Sequence, residues 1–134
     1  MNDATRVLQP ASWPRPSGYS NGMLAPGPTI VLAGQIGWDP TTRHLANGMA
    51  VQVEIALRNI VTVLAEAGAG PADIVRLTWF VTDMPRYRQD ARAIGEAYRR
   101  VMGRHFPAMS VIGVASLVEP DALVEIEATA VPRT

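Results

Sequence analysis

Cysteine and lysine are both absent from this 134-residue chain. Without cysteine there is no disulfide, no thiolate nucleophile and no Cys-ligated metal. Without lysine there is no Schiff-base amine and no phosphate-binding P-loop lysine. Histidine is scarce too: His44 and His105 stand far apart, with no partner at metal-ligand spacing. Net charge is also missing, since twelve arginines balance twelve Asp and Glu. A total of zero leaves no electrostatic footprint for nucleic acid or an anionic membrane. No stretch approaches the ~18 apolar residues of a membrane span, and the opening MNDATRVLQPAS lacks an apolar signal core. These absences predict a neutral cytoplasmic protein with no membrane and no nucleic-acid partner.

What the chain does have is apolar content. Hydrophobic residues make up 48% and charged residues 18%, enough for one packed domain over residues 1–134. Residues 1–17 read as irregular, with a short strand near Arg6–Leu8. Tyr19–Ala25 and Thr29–Gly34 flank "PGP" and read as two strands around a tight turn. The run "TIVLAG" suggests a strand covered on both faces. Val53, Leu57, Ile60, Val61 and Leu64 recur at helical spacing, predicting a helix over 49–67 with Gly68 as its stop. "IVRLTWFV", residues 74–81, is a strand with Trp79 and Phe80 both assigned to the core. Asp83 caps a second helix that runs to Gly103, with Tyr87, Ala91, Ile94, Tyr98 and Met102 on one stripe. Two strands close the chain, over 109–115 and 122–131.

The order ββαβαββ predicts an α+β protomer: one mixed sheet with two helices on one face. Nothing in the chain remains to cover the other face, so a second copy is the expected cover. In the last strand Val124, Ile126, Ala128 and Ala130 point one way, and Glu125, Glu127 and Thr129 the other. Two acids there read either as solvent-facing or as lining a polar cleft between subunits.

One stretch poses a question. In "HFPAMSVIG" a Phe-Pro bend delivers the residue after Ala108 to the mouth of a strand, a common mount for a functional group. The residue mounted is Met109, which has no charge and no acid-base chemistry. Its neighbours suggest why. "SGYSNG", "VLAGQIGWDP", the Gln52/Leu57/Asn59 pattern, "AGAGPADIVRLTWFVTDM", "HFPAMS" and "VEIEATAV" follow one another from about Gly18 to Ala130. Together they resemble the RidA/YjgF family of reactive-intermediate deaminases.

The resemblance implies a chorismate-mutase-like α+β fold and a homotrimer with small-molecule clefts between neighbours. It implies hydrolysis of an enamine or imine to a carbonyl compound and ammonia, with no metal and no organic cofactor. In that family an Arg holds the substrate carboxylate and a Glu positions the attacking water. Matched position by position, the Arg falls on Met109, a Ser on Ala33 and a helix Asn on Ala91. Tyr19, Gly34 and Gln35 are retained, and the acid falls on Glu125. Glu125 is the catalytic candidate; Tyr19, Ala33, Gly34, Gln35, Ala91 and Met109 are the substrate-binding positions. Trp38, Arg43 and His105 are further cleft candidates, Arg43 as a replacement for the missing cation.

The residues alone leave alternatives open. Glu125 reads as an acid/base or as a paired strand acid. Met109 reads as the wall of a cleft retuned for a less polar substrate, or as part of a cleft without a catalytic task. A non-catalytic ligand-binding trimer is therefore the second expectation. A ribonuclease or translation inhibitor is a third, against which zero net charge and the lack of lysine weigh.

Overall fold

Alternation along the last strand decides which way the sheet faces. In the computed structural model, which describes residues 6–16, 21–25, 27 and 29–132, six strands form one sheet. They are β1 (Arg6–Leu8), β2 (Gly22–Ala25), β3 (Thr29–Ile36), β4 (Ile74–Val81), β5 (Ala108–Gly113) and β6 (Val124–Ala130). Their order is β1-β2-β3-β6-β4-β5, with β4 and β5 parallel and every other pair antiparallel. The parallel pair needs a long crossover, which the helices after β4 supply. The sheet is therefore mixed.

The even-numbered residues of β6, Val124 to Ala130, are buried with Ile30 and Leu32 of β3 and Leu77, Trp79 and Val81 of β4. Against them pack Val53, Leu57, Ile60 and Leu64 of α1 (Met49–Ala65). Ile94, Tyr98 and Met102 of α3 (Ala91–Met102) join the same core. Gly27, Gly68 and Gly103 sit at positive φ where the β2–β3 turn and two helix ends need it. No helix among the described residues is long and apolar enough to cross a membrane.

Several expectations need correction. The helix expected from Asp83 to Gly103 is two. Asp83 does cap α2 (Met84–Gln89), its carboxylate accepting from Arg86 N at 3.0 Å, but Asp90 leaves helical geometry (φ −93°, ψ 12°) and starts α3 afresh. The break turns Ala91 out of the stripe, and it is exposed. Phe80 is not a core residue; it lies half-buried on the helix-free face, directly across from Glu125. β3 is covered on one face only within the protomer, since Val31 is 47% exposed. An unforeseen 3₁₀ turn, Pro71–Asp73, leads into β4.

Two buried amides on α1 fasten the loops that surround the future site. Gln52 donates to the carbonyls of Ala46 (2.9 Å) and Asp121 (3.2 Å) and accepts from Leu123 N (2.8 Å). Asn59 donates to the carbonyls of Ile36 (3.3 Å) and Trp38 (2.9 Å), fixing the end of β3. Gly37 has no side chain because Gln52 lies where a Cβ would be, against the helix backbone itself. Gln52→Leu strips three part-buried backbone groups of their partner. It should lower stability by about 2–3 kcal/mol, read as a shift in the urea midpoint with an unchanged m-value.

Candidate functional site

The site begins with a defect in the ladder between β3 and β6. Leu32 pairs with Ala128, but the next paired residues are Gln35 and Ile126, so β3 carries one extra residue at Ala33–Gly34. Such a bulge bends the strand and re-aims its side chains. Here it brings the backbone of Gly34 under the carboxyl of Glu125. A Cβ on Gly34 would stand 2.6 Å from Glu125 Cδ and Cγ, so the acid rests in space that only glycine leaves free. The register then resumes with Ile36 opposite Glu125.

Above this floor lies a cavity of about 530 Å³. Ala33, Gly34, Gln35 and Glu125 line it from the sheet; Trp38 and Arg43 come from the loop after β3. Its other wall is a segment that carries no periodic signal, Trp13-Pro14-Arg15-Pro16, joined by Glu119. Gln9 holds that segment, donating to the carbonyls of Trp13 (3.2 Å) and Pro14 (3.3 Å). Gln9 is held in turn by Asn21 Nδ2 at 3.0 Å, from a buried position at the start of β2.

Glu125 is half-buried, and burial pushes its carboxyl above the ordinary carboxylate range. The negative charge of Glu127, two residues along the same face, adds to the rise. The raised value means that the protonated acid and the carboxylate interconvert closer to neutrality than in a free side chain. That suits one group to take a proton and give it back. Gln35 is buried, and its amide donates to the Ala33 carbonyl at 3.3 Å, bracing the bulge.

The positions picked from sequence divide. Ala33, Gly34, Gln35, Trp38, Arg43 and Glu125 meet in one cavity. Tyr19 lies outside the described residues. Met109, Ala91 and His105 do not line the cavity of their own protomer. Met109 is on β5, two strands from β6 at the sheet edge, and is 38% exposed. Ala91 is exposed at the start of α3. His105 is taken up by the bend: Nε2 donates to the Ile74 carbonyl at 2.7 Å, while its own carbonyl accepts from Tyr98 Oη at 2.6 Å. Sequence reasoning missed Trp13, Arg15 and Glu119. The only signal was the alternation of proline with Trp and Arg in "WPRP", a stiff segment with functional side chains.

With this geometry in place, comparison with known proteins is informative. The family model for Endoribonuclease L-PSP matches residues 12–132. The human 2-iminobutanoate/2-iminopropanoate deaminase is 33% identical over 128 residues, 94% of this chain and 89% of the relative. The crystal structure of the YjgF gene product of E. coli is similar with a TM-score of 0.82 and 31% identity, over 96% of this chain and 99% of that one. TdcF of E. coli, crystallised with bound serine, is similar with a TM-score of 0.82 and 28% identity, over 96% and 99%.

Proposed function

This chain belongs to the RidA/YjgF family, and from that premise we propose that it hydrolyses a reactive imine or enamine to a carbonyl compound and ammonia. The observation that carries the reading is the Glu125 carboxyl, lodged against Gly34 on the cavity floor with its proton affinity raised. As carboxylate it takes a proton from water while the water oxygen bonds to the C=N carbon and the π pair moves to nitrogen. The acid hands that proton on to the nitrogen, giving a carbinolamine; the carboxylate then takes the carbinolamine's hydroxyl proton and passes it to the amine, so that the C–N bond breaks and ammonia leaves as the carbonyl forms. Water is the only co-reactant, and one carboxyl serves as base and then as acid.

Apolar residues at Ala33, Ala91 and Met109 point to an altered substrate preference. A carboxylate held by a bidentate guanidinium gains charge-assisted bonds of about 1.5–3 kcal/mol each, and methionine supplies none of them. The decisive experiment is keto-acid release from a panel of imines made in situ by an amino-acid oxidase, with semicarbazide as the competing trap. Acceleration of at least one imine supports the reading; no acceleration of any removes it.

We further propose a homotrimer whose clefts lie between neighbours, in which Met109 and Ala91 of one copy approach the cavity of the next. The support is the helix-free sheet face, where Val7, Met23, Val31 and Ile112 stand exposed in one protomer. Light scattering should give three times the 14.4 kDa of one chain; a monomeric mass would contradict it. A second reading, ligand binding without turnover, is favoured by the same three apolar positions. It predicts stabilisation by keto acids with no hydrolysis. The ribonuclease in the family model's name finds no support in a chain of zero net charge without lysine.

A further inference from the structure

The cavity that holds Glu125 is also lined by two exposed arginines, Arg15 and Arg43. Among the described residues neither has an ion-pair partner, a state they share with Arg6, Arg76, Arg88, Arg99 and Arg104; what sets the two apart is that they line this cavity. Both are mounted on prepared backbone. Arg15 stands between two prolines, of which Pro16 biases it toward extended backbone, and Gln9 clamps the carbonyls just before it. Arg43 is the one described non-glycine residue at positive φ, 63°. Its N–H donates to the Asp39 carbonyl at 2.7 Å, and Asp39 N donates back to the His44 carbonyl at 3.0 Å. The Asp39 carboxylate accepts from Thr41 N (2.8 Å) and Thr41 Oγ1 (2.6 Å), and Trp38 bridges to Leu45. Glycine or asparagine would occupy position 43 with less strain, so a strained arginine at the rim of a cavity asks for a use.

We propose that Arg15 and Arg43 together bind the substrate's carboxylate, supplying within one protomer the cation that Met109 lacks. Trp13 and Trp38 line the same cavity. The identity of the anion as the carboxylate of an imino acid rests on the deaminase reading; the pairing of the two arginines on an anion rests on the cavity they share. Bound there, the ligand offers its C=N carbon to the acid on the cavity floor.

The test combines binding and kinetics on Arg15→Gln and Arg43→Gly. Calorimetric titration with 2-oxobutanoate, its uncharged amide and inorganic phosphate reads the anchor without chemistry. Each variant should bind 2-oxobutanoate about tenfold more weakly, the loss expected for an exposed charge-assisted contact. Binding of the amide should not change. On a carboxylate-bearing imine each variant should raise KM about tenfold with kcat nearly unchanged, the mark of lost uniform binding. Arg43→Gly should melt no lower than the parent, since it relieves the backbone; a loss of ligand with no loss of fold is what a purely structural arginine would not give. Unchanged affinity in both variants overturns the proposal, as does a parent protein that binds phosphate but no 2-oxo acid. If binding depends on the arginines yet no imine is turned over, the anchor stands and the deaminase reading falls. If imines are turned over with unaltered KM in both variants, the reverse holds.

Discussion

Glu125→Gln should lower kcat by about 10²–10⁴-fold, the range for loss of a positioned general base and acid, while making the protein more stable at neutral pH. Gln keeps the size and hydrogen-bonding shape of Glu but neither takes nor gives a proton. The two effects share a cause. Burial and the Glu127 charge raise the folded pKa of Glu125 above its unfolded value. A carboxyl shifted that way stabilises the fold below its unfolded pKa, and the contribution is lost as pH rises through the folded pKa. At pH 7 the parent therefore carries an unfavourable buried charge that Gln removes. The gain in melting temperature should be present at pH 7 and vanish below about pH 4, where both side chains are neutral. A variant that loses activity and stability together would instead mark Glu125 as structural.

Gly34→Ala should lower kcat on the order of 10²-fold with a change in stability of about 1 kcal/mol or less. The new methyl group falls where the Glu125 carboxyl lies. What it displaces is the end of a flexible side chain, so the acid swings aside at little expense to the fold. Gly34 is not at positive φ, so alanine adds no backbone strain. The substitution therefore moves the acid without removing it. Parent-like kcat in this variant would mean that the position of the carboxyl over the bulge is irrelevant to turnover.

Much of the fold was legible because it rests on period and punctuation. The alternation in "VEIEATA" identified the buried face of β6, and the spacing of Val53, Leu57, Ile60 and Leu64 identified α1. What escaped has physical reasons. The break at Asp90 contains no glycine or proline, and the apolar stripe runs on as though the helix were continuous. Trp79 and Phe80 are equally apolar, yet adjacent strand residues face opposite ways; only the pairing with Glu125 shows that Phe80 lies across from the acid. The bulge at Ala33–Gly34 exists only as a register between β3 and β6, contacts nearly a hundred residues apart. Arg15 entered the cavity through Gln9 and Asn21, a clamp without any repeating pattern. His105 looked like a cleft residue by adjacency to Pro107, but its ring found the Ile74 carbonyl from the far side of the α2–α3 crossover.

The most direct measurement is the titration of the Glu125 carboxyl itself, followed by ¹³C NMR in selectively labelled protein beside the pH dependence of kcat/KM for the best imine. The account predicts that this carbon titrates above the ordinary glutamate value of about 4.3, and that kcat/KM falls with the same midpoint as pH drops through it, since the carboxylate must accept the first proton. A carboxyl that titrates at its ordinary value, or a rate that ignores its protonation, would contradict the account.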